Sequence, residues 1–531
     1  MKKYLFIALI FLSDYTFSQP TITWQKCFGG SVSDWLTDGK PTLDGGYICM
    51  GKAISTDFDL LGVCCPNGGA ALWVVKLDSN FDIEWQKLFN TTTLNEINDI
   101  FVNLDSTYTI FGTVEVSAIE CTCNHSESQD IWMINLDISG NILSQKCFGG
   151  SSYDVLNNVI KCQDGGYLIG AYSGSINGDV GYHFGSGFVP DALVLKIDAQ
   201  GNIKWTKVLG GTGYDGAFVA EITENEYFIN VNTSSSDYDL TGLMPIDETG
   251  GRWLILMDST GQVVKENFDR SFNFQFNLFT PYKFVEGQFI IVGYNQIDTG
   301  IFSDNKGGVD AIVGLYNSEL LLTDVVQFGG SELDEVLKVN DFGDGHYYFS
   351  GWSRSSDFDC QPNHGERDAF LVKTDSSLNK IWSKTFGASG DDRIGNIMMN
   401  NGTLYAIGLS NINGEMDGDI TNGHFIDSIG SNGEGYIMSF SNSSNIPDSL
   451  STITTFLIYP NPTSGFVQIK SFSTEECQLN IISMEGKRVE TFKINLGTNS
   501  IDVSDLAKGF YIFNIVKEQN ISLKQVKILI N

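Results

Sequence analysis

Short apolar runs alternate with polar turns along most of this chain, and the order of runs and turns returns at a nearly fixed interval. Phe28-Gly29-Gly30-Ser31 reads as a turn, followed by a strand of moderate apolarity and a tight turn at Asp44-Gly45-Gly46. Residues 47–51 form a second strand. A long polar loop over about 56–70 leads to residues 72–78, a third strand apolar enough to be buried on both faces. After a turn at 79–82, residues 83–89 form a fourth strand that runs into the next unit. The anchors Phe28, Phe89, Phe148, Leu209, Phe268, Phe328 and Phe386 stand 61, 59, 61, 59, 60 and 58 residues apart. The repeats show no 3.6-residue period, and turn signals interrupt every ~8–12 residues. Four short antiparallel strands at a fixed repeat predict an all-β chain built as a β-propeller, one blade per unit.

Counting gives seven blades. Residues 22–28 (Ile-Thr-Trp-Gln-Lys-Cys-Phe) look like a fourth strand without its first three. The seventh repeat ends at 435–440, a third strand without a fourth. The N-terminal strand therefore completes the last blade and removes two open sheet edges. The fifth repeat, 268–327, fits the pattern least well, which keeps six- and eight-bladed rings open.

Several short motifs recur within these units: Gly-Gly-Ser with an Asp two or three residues on, Asp-Gly-Gly-Tyr, Ser-Ser-Asp-Phe and Asp-Ala-Phe-Leu-Val-Lys-Thr-Asp. In these the chain, over about 22–440, resembles the SBBP-type β-propeller repeat of bacterial secreted proteins. That resemblance implies the fold and transfers no catalytic residue.

Residues 441–455 are rich in Ser, Asn and Thr and read as a linker after a propeller spanning 19–440. From Tyr459-Pro460-Asn461-Pro462-Thr463-Ser464-Gly465 onward, alternating strands over 466–470, 478–483, 488–494, 500–503, 509–516 and 522–530 predict a small Ig-like β-sandwich at 456–531. This segment resembles the type A C-terminal sorting domain of type IX secretion in Bacteroidota. The resemblance rests on Tyr459, Pro460, Asn461, Pro462 and Gly465, a Gly-Lys-Arg-Val turn and strand, Asp-Leu-Ala-Lys-Gly-Phe-Tyr, and a final basic-apolar strand with Lys524 and Lys527. It implies the type IX secretion machinery as a partner and passage through the periplasm and across the outer membrane. It also implies a cell-surface or extracellular address, often with removal of this domain and attachment to surface glycolipid.

The other end agrees with export. Lys2 and Lys3, a short apolar run from Tyr4 to Leu12, and small residues Thr16 and Ser18 predict a signal peptide over 1–18. The run is too short to cross a bilayer, and no later segment is long and apolar enough to do so. The chain carries 64 acidic against 32 basic residues, a net charge of −32. There is no cationic surplus for nucleic acid or for anionic lipid.

Candidate chemistry concentrates on one face. Hairpin turns alternate between the two faces of a blade, so the long second-to-third loops and the Phe-Gly-Gly turns share a face. His125, His183, His364 and His424 lie in those loops. So does an aspartate register: Asp59, Asp179, Asp239, Asp359 and Asp419, with Asp57, Asp237, Asp357 and Asp417 two residues before four of them. Paired carboxylates of this kind either supply oxygen ligands to Ca²⁺ or cap turns through their own backbone amides. Cys64, Cys65, Cys121 and Cys123 sit in equivalent loops of adjacent blades and predict one disulfide in an exported protein. Cys27 and Cys147 share a strand position two blades apart and read as buried thiols. The tryptophans fall at strand positions and read as blade core. No nucleophile elbow, zinc-protease helix or phosphate loop occurs. The leading expectation is an exported, non-catalytic binding or interaction module for a glycan or protein ligand. The alternatives are a surface polysaccharide hydrolase or lyase using loop carboxylates, and a structural surface protein without a specific ligand. A broad face of exposed aromatics favours binding.

Overall fold

The computed structural model describes residues 19–63, 70–90, 94–115, 129–185, 188–243, 250–269, 280–283, 288–296, 302–412, 418–420, 423–424, 432–441, 456–459, 465–471, 477–483, 487–495, 497–517 and 521–530. The signal peptide lies outside them. The chain divides into two compact units, 1–444 and 445–531.

Among the described residues, the first unit holds seven four-stranded antiparallel sheets and no α-helix. Blade 1 is Trp35–Pro41, Tyr47–Ala53, Ala71–Leu77 and Ile83–Asn90, hydrogen-bonded in that order. Blades 2 to 6 repeat the order. The fifth repeat is a full blade, with a short first strand at Thr280–Lys283, so the count of seven holds. In blade 7, Ile22–Phe28 pairs antiparallel with Asn432–Phe440, Phe28 opposite Gly435 and Cys27 opposite Tyr436. The ring closes on its own N-terminal strand, as the two incomplete ends of the array predict.

Burial explains the strand compositions. Every residue of Ala71–Leu77 and of Asp191–Ile197, third strands of blades 1 and 3, is buried, because each blade is sandwiched between two others. Seven apolar clusters result, each joining one blade to the next. The cluster that closes the ring sets Ile407 and Ile437 of blade 7 against Leu36, Cys49 and Trp73 of blade 1, with Phe28 among them. Outer strands are wetter, and their tryptophans join blades. Trp85 donates its indole N–H to Ile138 O of blade 2 at 2.9 Å, and Trp205 to Ser259 O of blade 4 at 2.9 Å. The ring of Trp85 lies where a Cβ on Gly140 would be, which is why that turn carries glycine at φ +76°. Those two indoles are therefore blade-to-blade staples, whereas Trp73 is core as expected.

The second unit has a three-stranded sheet (Phe456–Tyr459, Phe466–Ser471, Gly497–Asp502) and a four-stranded sheet (Arg488–Ile494, Cys477–Ser483, Gly509–Lys517, Ile521–Ile530). They share one core that includes Val467, Ile469, Leu479, Ile481, Phe513 and Ile515. A strand not predicted from the sequence, Phe456–Tyr459, ends on the first residue of the Tyr459–Gly465 motif and pairs with Phe466–Ser471.

Closure by the N-terminal strand yields a direct prediction. Phe28 is fully buried, so Phe28→Ala should cost about 3–5 kcal/mol in denaturant unfolding. A loss under ~1 kcal/mol would mean the strand does not close the ring.

Candidate binding face

The long loops are fixed by their aspartates. The Asp59 amide donates to Gly29 O at 3.2 Å, and the Gly29 amide returns a bond to Asp59 Oδ2 at 3.2 Å. The Ser31 amide donates to Asp57 Oδ1 at 2.8 Å. The same bonds recur from Gly210 and Thr212 to Asp239 and Asp237, and from Gly329 and Ser331 to Asp359 and Asp357. In blade 3, Asn177 stands in for the first aspartate and receives the Ser151 amide at 2.9 Å. Asp57 stays ionised readily, because the Ser31 hydroxyl and amide hold its carboxyl below the usual range. A Cβ on Gly30 would collide with Asp57 and Ser55, which accounts for the second glycine of the Phe-Gly-Gly turn. The acceptors expected to cap their own turns thus take amides of a connector 26 or 30 residues upstream. Local capping does occur on the opposite face, where the Asn80 and Asp82 amides both donate to Asp78 Oδ1.

One residue after each paired aspartate, a buried apolar side chain pins the loop: Leu60, Val180, Leu240, Cys360 and Ile420. Between the aspartates sits a residue in the left-handed backbone region. It is Phe58 at φ 49°, Tyr238 at φ 49° and Phe358 at φ 47°, and it is Gly178 and Gly418 in blades 3 and 7. A bulky side chain there costs about 1–2 kcal/mol relative to ordinary backbone. The three rings are 46%, 57% and 63% exposed, so burial does not offset that cost. Two further exposed rings, Tyr182 and Phe188, rise from the blade 3 loop. All the strongly exposed aromatic rings of the propeller's described residues lie on this long-loop face. The turns of the other face expose single aliphatics such as Leu104, Ile138 and Leu321. Tyr182, Phe184 and Tyr238 form a continuous ring cluster, with centroids 5.4 and 5.0 Å apart, and Phe58 lies 5.0 Å from the His424 ring.

Beneath these loops, acids meet at the blade junctions. An aspartate at or just before the start of an inner strand donates its amide to the preceding blade: Asp34 to Gly433 O, Asp215 to Pro190 O, Asp334 to Val309 O and Asp392 to Arg367 O, at 2.7–2.9 Å. This sets its buried carboxylate beside the acid that opens the neighbouring third strand, pairing Asp215 with Asp191, Asp334 with Asp310 and Asp392 with Asp368. Burial and then the facing charges push Asp191 up to about 8, and Asp392 up to about 7. The loop histidines cap these pairs. His364 Nδ1 lies 2.8 Å from Asp368 and its Nε2 3.9 Å from Asp419. His424 Nδ1 lies 3.0 Å from Glu434 and its Nε2 3.8 Å from Asp59. His183 Nδ1 is 3.5 Å from Asp191. In blade 5, Lys306 takes the equivalent place, its Nζ 3.3 Å from Asp359, which also pairs with Lys380.

At the centre of the ring, Asp38 is fully buried and saturated. It pairs with Lys40 at 2.9 Å and accepts from Asn396 of blade 7 and from the Ile100 amide of blade 2. The structure brings two of the four loop histidines, His364 and His424, to the loop aspartates Asp419 and Asp59, and sets His183 against Asp191 instead. Asp417, His125, Cys64, Cys65, Cys121, Cys123, Pro460, Asn461 and Pro462 lie outside the described residues. Cys147 is half of a disulfide, contrary to the expectation of a thiol, and its partner also lies outside them. Cys27 is a buried thiol as expected. Among the described residues no group of three or more His, Cys, Asp or Glu has metal-holding spacing. In the second unit, Gly465 O receives the Val503 amide at 2.8 Å. Tyr459, Lys524 and Lys527 pair through their strands with Gln468, Ile515 and Ile512. The sequence reading missed the exposed rings. The aromatic between two aspartates, repeated in register, was the available signal.

Residues 457–531 match the family model of the secretion system C-terminal sorting domain. The tail is a sorting domain. It marks the protein for export through the type IX system to the cell surface or extracellular space. No helix among the described residues is long and apolar enough to cross a membrane. The sequence matches no curated protein. Among solved structures, the chain is similar to PorZ, an essential surface component of the type IX secretion system of Porphyromonas gingivalis (11% identity, 99% of this chain and 88% of that one, TM-score 0.21). It is also similar to the Pan2 WD40 domain of Neurospora crassa (9%, 59% and 74%, TM-score 0.33) and to an apocarotenoid oxygenase of Synechocystis (12%, 92% and 98%, TM-score 0.35). At these scores the likenesses carry no functional argument. The propeller is read from its own sheets.

Two outcomes follow from this geometry. Replacing Phe58, Tyr238 or Phe358 by the glycine that blades 3 and 7 already use should leave stability within ~1 kcal/mol of the parent in denaturant melts. A loss above ~3 kcal/mol would make the rings structural. The buried acid pairs set a pH dependence. The folded-state pKa values of Asp191, Asp215, Asp310, Asp368 and Asp392 lie above the ordinary carboxylate value, so their contribution is fully present below pH ~4 and is lost as pH rises through about 6 to 8. Tm should therefore fall between pH 5 and pH 8.5 by calorimetry. Asp191→Asn with Asp392→Asn should flatten that fall, while Glu224→Gln on the surface should not. An unchanged slope in the double variant would contradict the assignment.

Proposed function

We propose that this protein is an exported binding module whose ligand docks on the long-loop face of the propeller. The observation that carries the reading is the placement of the exposed aromatics. Five rings stand on one face, and three of them hold a backbone conformation that glycine would adopt at less cost. Exposed rings in strained, rigidly anchored loops are the usual material of a recognition surface. The sorting domain accounts for how such a face reaches the outside of the cell.

A non-catalytic role is supported by the state of Asp38 and of the junction acids. Asp38, the best-buried carboxylate at the ring centre, has its oxygens occupied by Lys40, Asn396 and a backbone amide, and serves to tie three blades together. At four junctions the acids are buried beneath the loops and closed by a histidine or lysine of the long loop.

Hydrogen–deuterium exchange of the full chain, with and without polysaccharide and protein fractions of the surrounding medium, tests the reading. The expected result is protection in the loops carrying Phe58, Phe188, Tyr238 and Phe358. Protection confined to the opposite face, or none with any fraction, would overturn it.

A further inference from the structure

We propose that Phe58, Tyr238 and Phe358 are equivalent stacking platforms for the sugar units of an uncharged polysaccharide, an inference that rests on the binding role of this face.

Equivalence is the first argument. The three rings occupy one position of one loop frame, with matching φ, matching bonds to the preceding turn and a buried plug two residues on at Leu60, Leu240 or Cys360. Each ring stands on the same backbone frame, on blades 1, 4 and 6. A ligand that uses all three must offer the same group repeatedly. A polysaccharide does so by construction, whereas a folded protein presents a different surface to each blade.

Local charge is the second argument. The net charge of −32 disfavours an anionic polymer. At two of the three platforms a basic side chain of the protein itself already stands. His424 lies beside Phe58, its pKa raised by the hydrogen bond to Glu434. Lys306 and Lys380 already pair with Asp359 next to Phe358. Asp57, Asp237 and Asp357 are engaged by backbone amides and keep lone pairs for further donors. An apolar ring bordered by carboxylate acceptors suits the C–H face of a sugar whose hydroxyls donate at the edge.

Rigidity is the third. The left-handed turn and the buried plug hold each ring in place before the ligand arrives, which lowers the ordering cost of binding. Single platforms are weak, and three on one scaffold act together through effective concentration. The Tyr238 platform is extended by Phe184 and Tyr182, so it should contribute most.

The test is affinity electrophoresis of the full chain in gels containing uncharged polymers (glucans, mannans, galactans and xylans), with polygalacturonate as the anionic comparator. The expected result is retardation by at least one uncharged polymer. It should weaken about tenfold or more in the triple variant Phe58→Gly, Tyr238→Gly, Phe358→Gly, and by smaller factors in each single variant. Thermal melts should confirm that the triple variant is folded. Retardation by no uncharged polymer, or stronger retardation by polygalacturonate, overturns the ligand class. If a protein ligand is instead found and the triple variant abolishes its binding, the glycan inference fails while the binding role stands. Full retention of every ligand by the folded triple variant overturns both.

Discussion

A reciprocal pair of hydrogen bonds between a loop aspartate and a Gly–Gly turn decides the shape of this molecule's long-loop face. Asp59 and Gly29 exchange bonds 30 residues apart, and Asp359 and Gly329 repeat the exchange. The turn carries the chain from one blade to the next, so the bonds tie each loop to the inter-blade connector. Once Asp57 and Asp59 are fixed, the residue between them is forced into the left-handed region and its side chain points outward. The same frame drops Leu60 into the core. Exposure of the rings and burial of the plugs are two results of one constraint.

Packing below the loops follows from the ring. Each blade is buried on both faces by its neighbours, so the acids at its strand starts meet acids of the next blade in a dry junction. Charging both members there is unfavourable, and a pair retains a proton where an isolated surface acid would not. Histidine or lysine from the long loop closes four of these junctions. In blades 6 and 7 the same histidine also approaches the loop aspartate of the following blade. The loops are thus anchored from below by electrostatics and from the side by amides, which is the kind of support a recognition surface needs.

Much of this was legible in the chain. The ~60-residue period, the four strands per unit and the incomplete ends at Phe28 and Phe440 gave a closed seven-bladed ring, because burial on both faces leaves a continuous apolar signature in the third strand. The weak fifth repeat, 268–327, still forms a blade, since a strand as short as Thr280–Lys283 suffices for pairing. The aspartate register was visible but its role was not. Spacing cannot distinguish a carboxylate that meets an amide from one that meets a cation. The facing of Asp191 and Asp215 depends on contact between blades that no local pattern encodes. The disulfide at Cys147 was hidden for the same reason. Tyr238 looked like one aromatic among many until its φ and exposure set it apart.

The loop aspartates serve the protein's own backbone and so build a face for display. Calorimetric melting of the full chain in chelator, and then in millimolar Ca²⁺, tests this role most directly, because a cation held only by the folded state must raise the midpoint. The same Tm is expected in both. A clear rise with Ca²⁺ that chelation reverses, and that Asp57→Asn with Asp357→Asn removes, would contradict that role and make those carboxylates a metal-bearing surface.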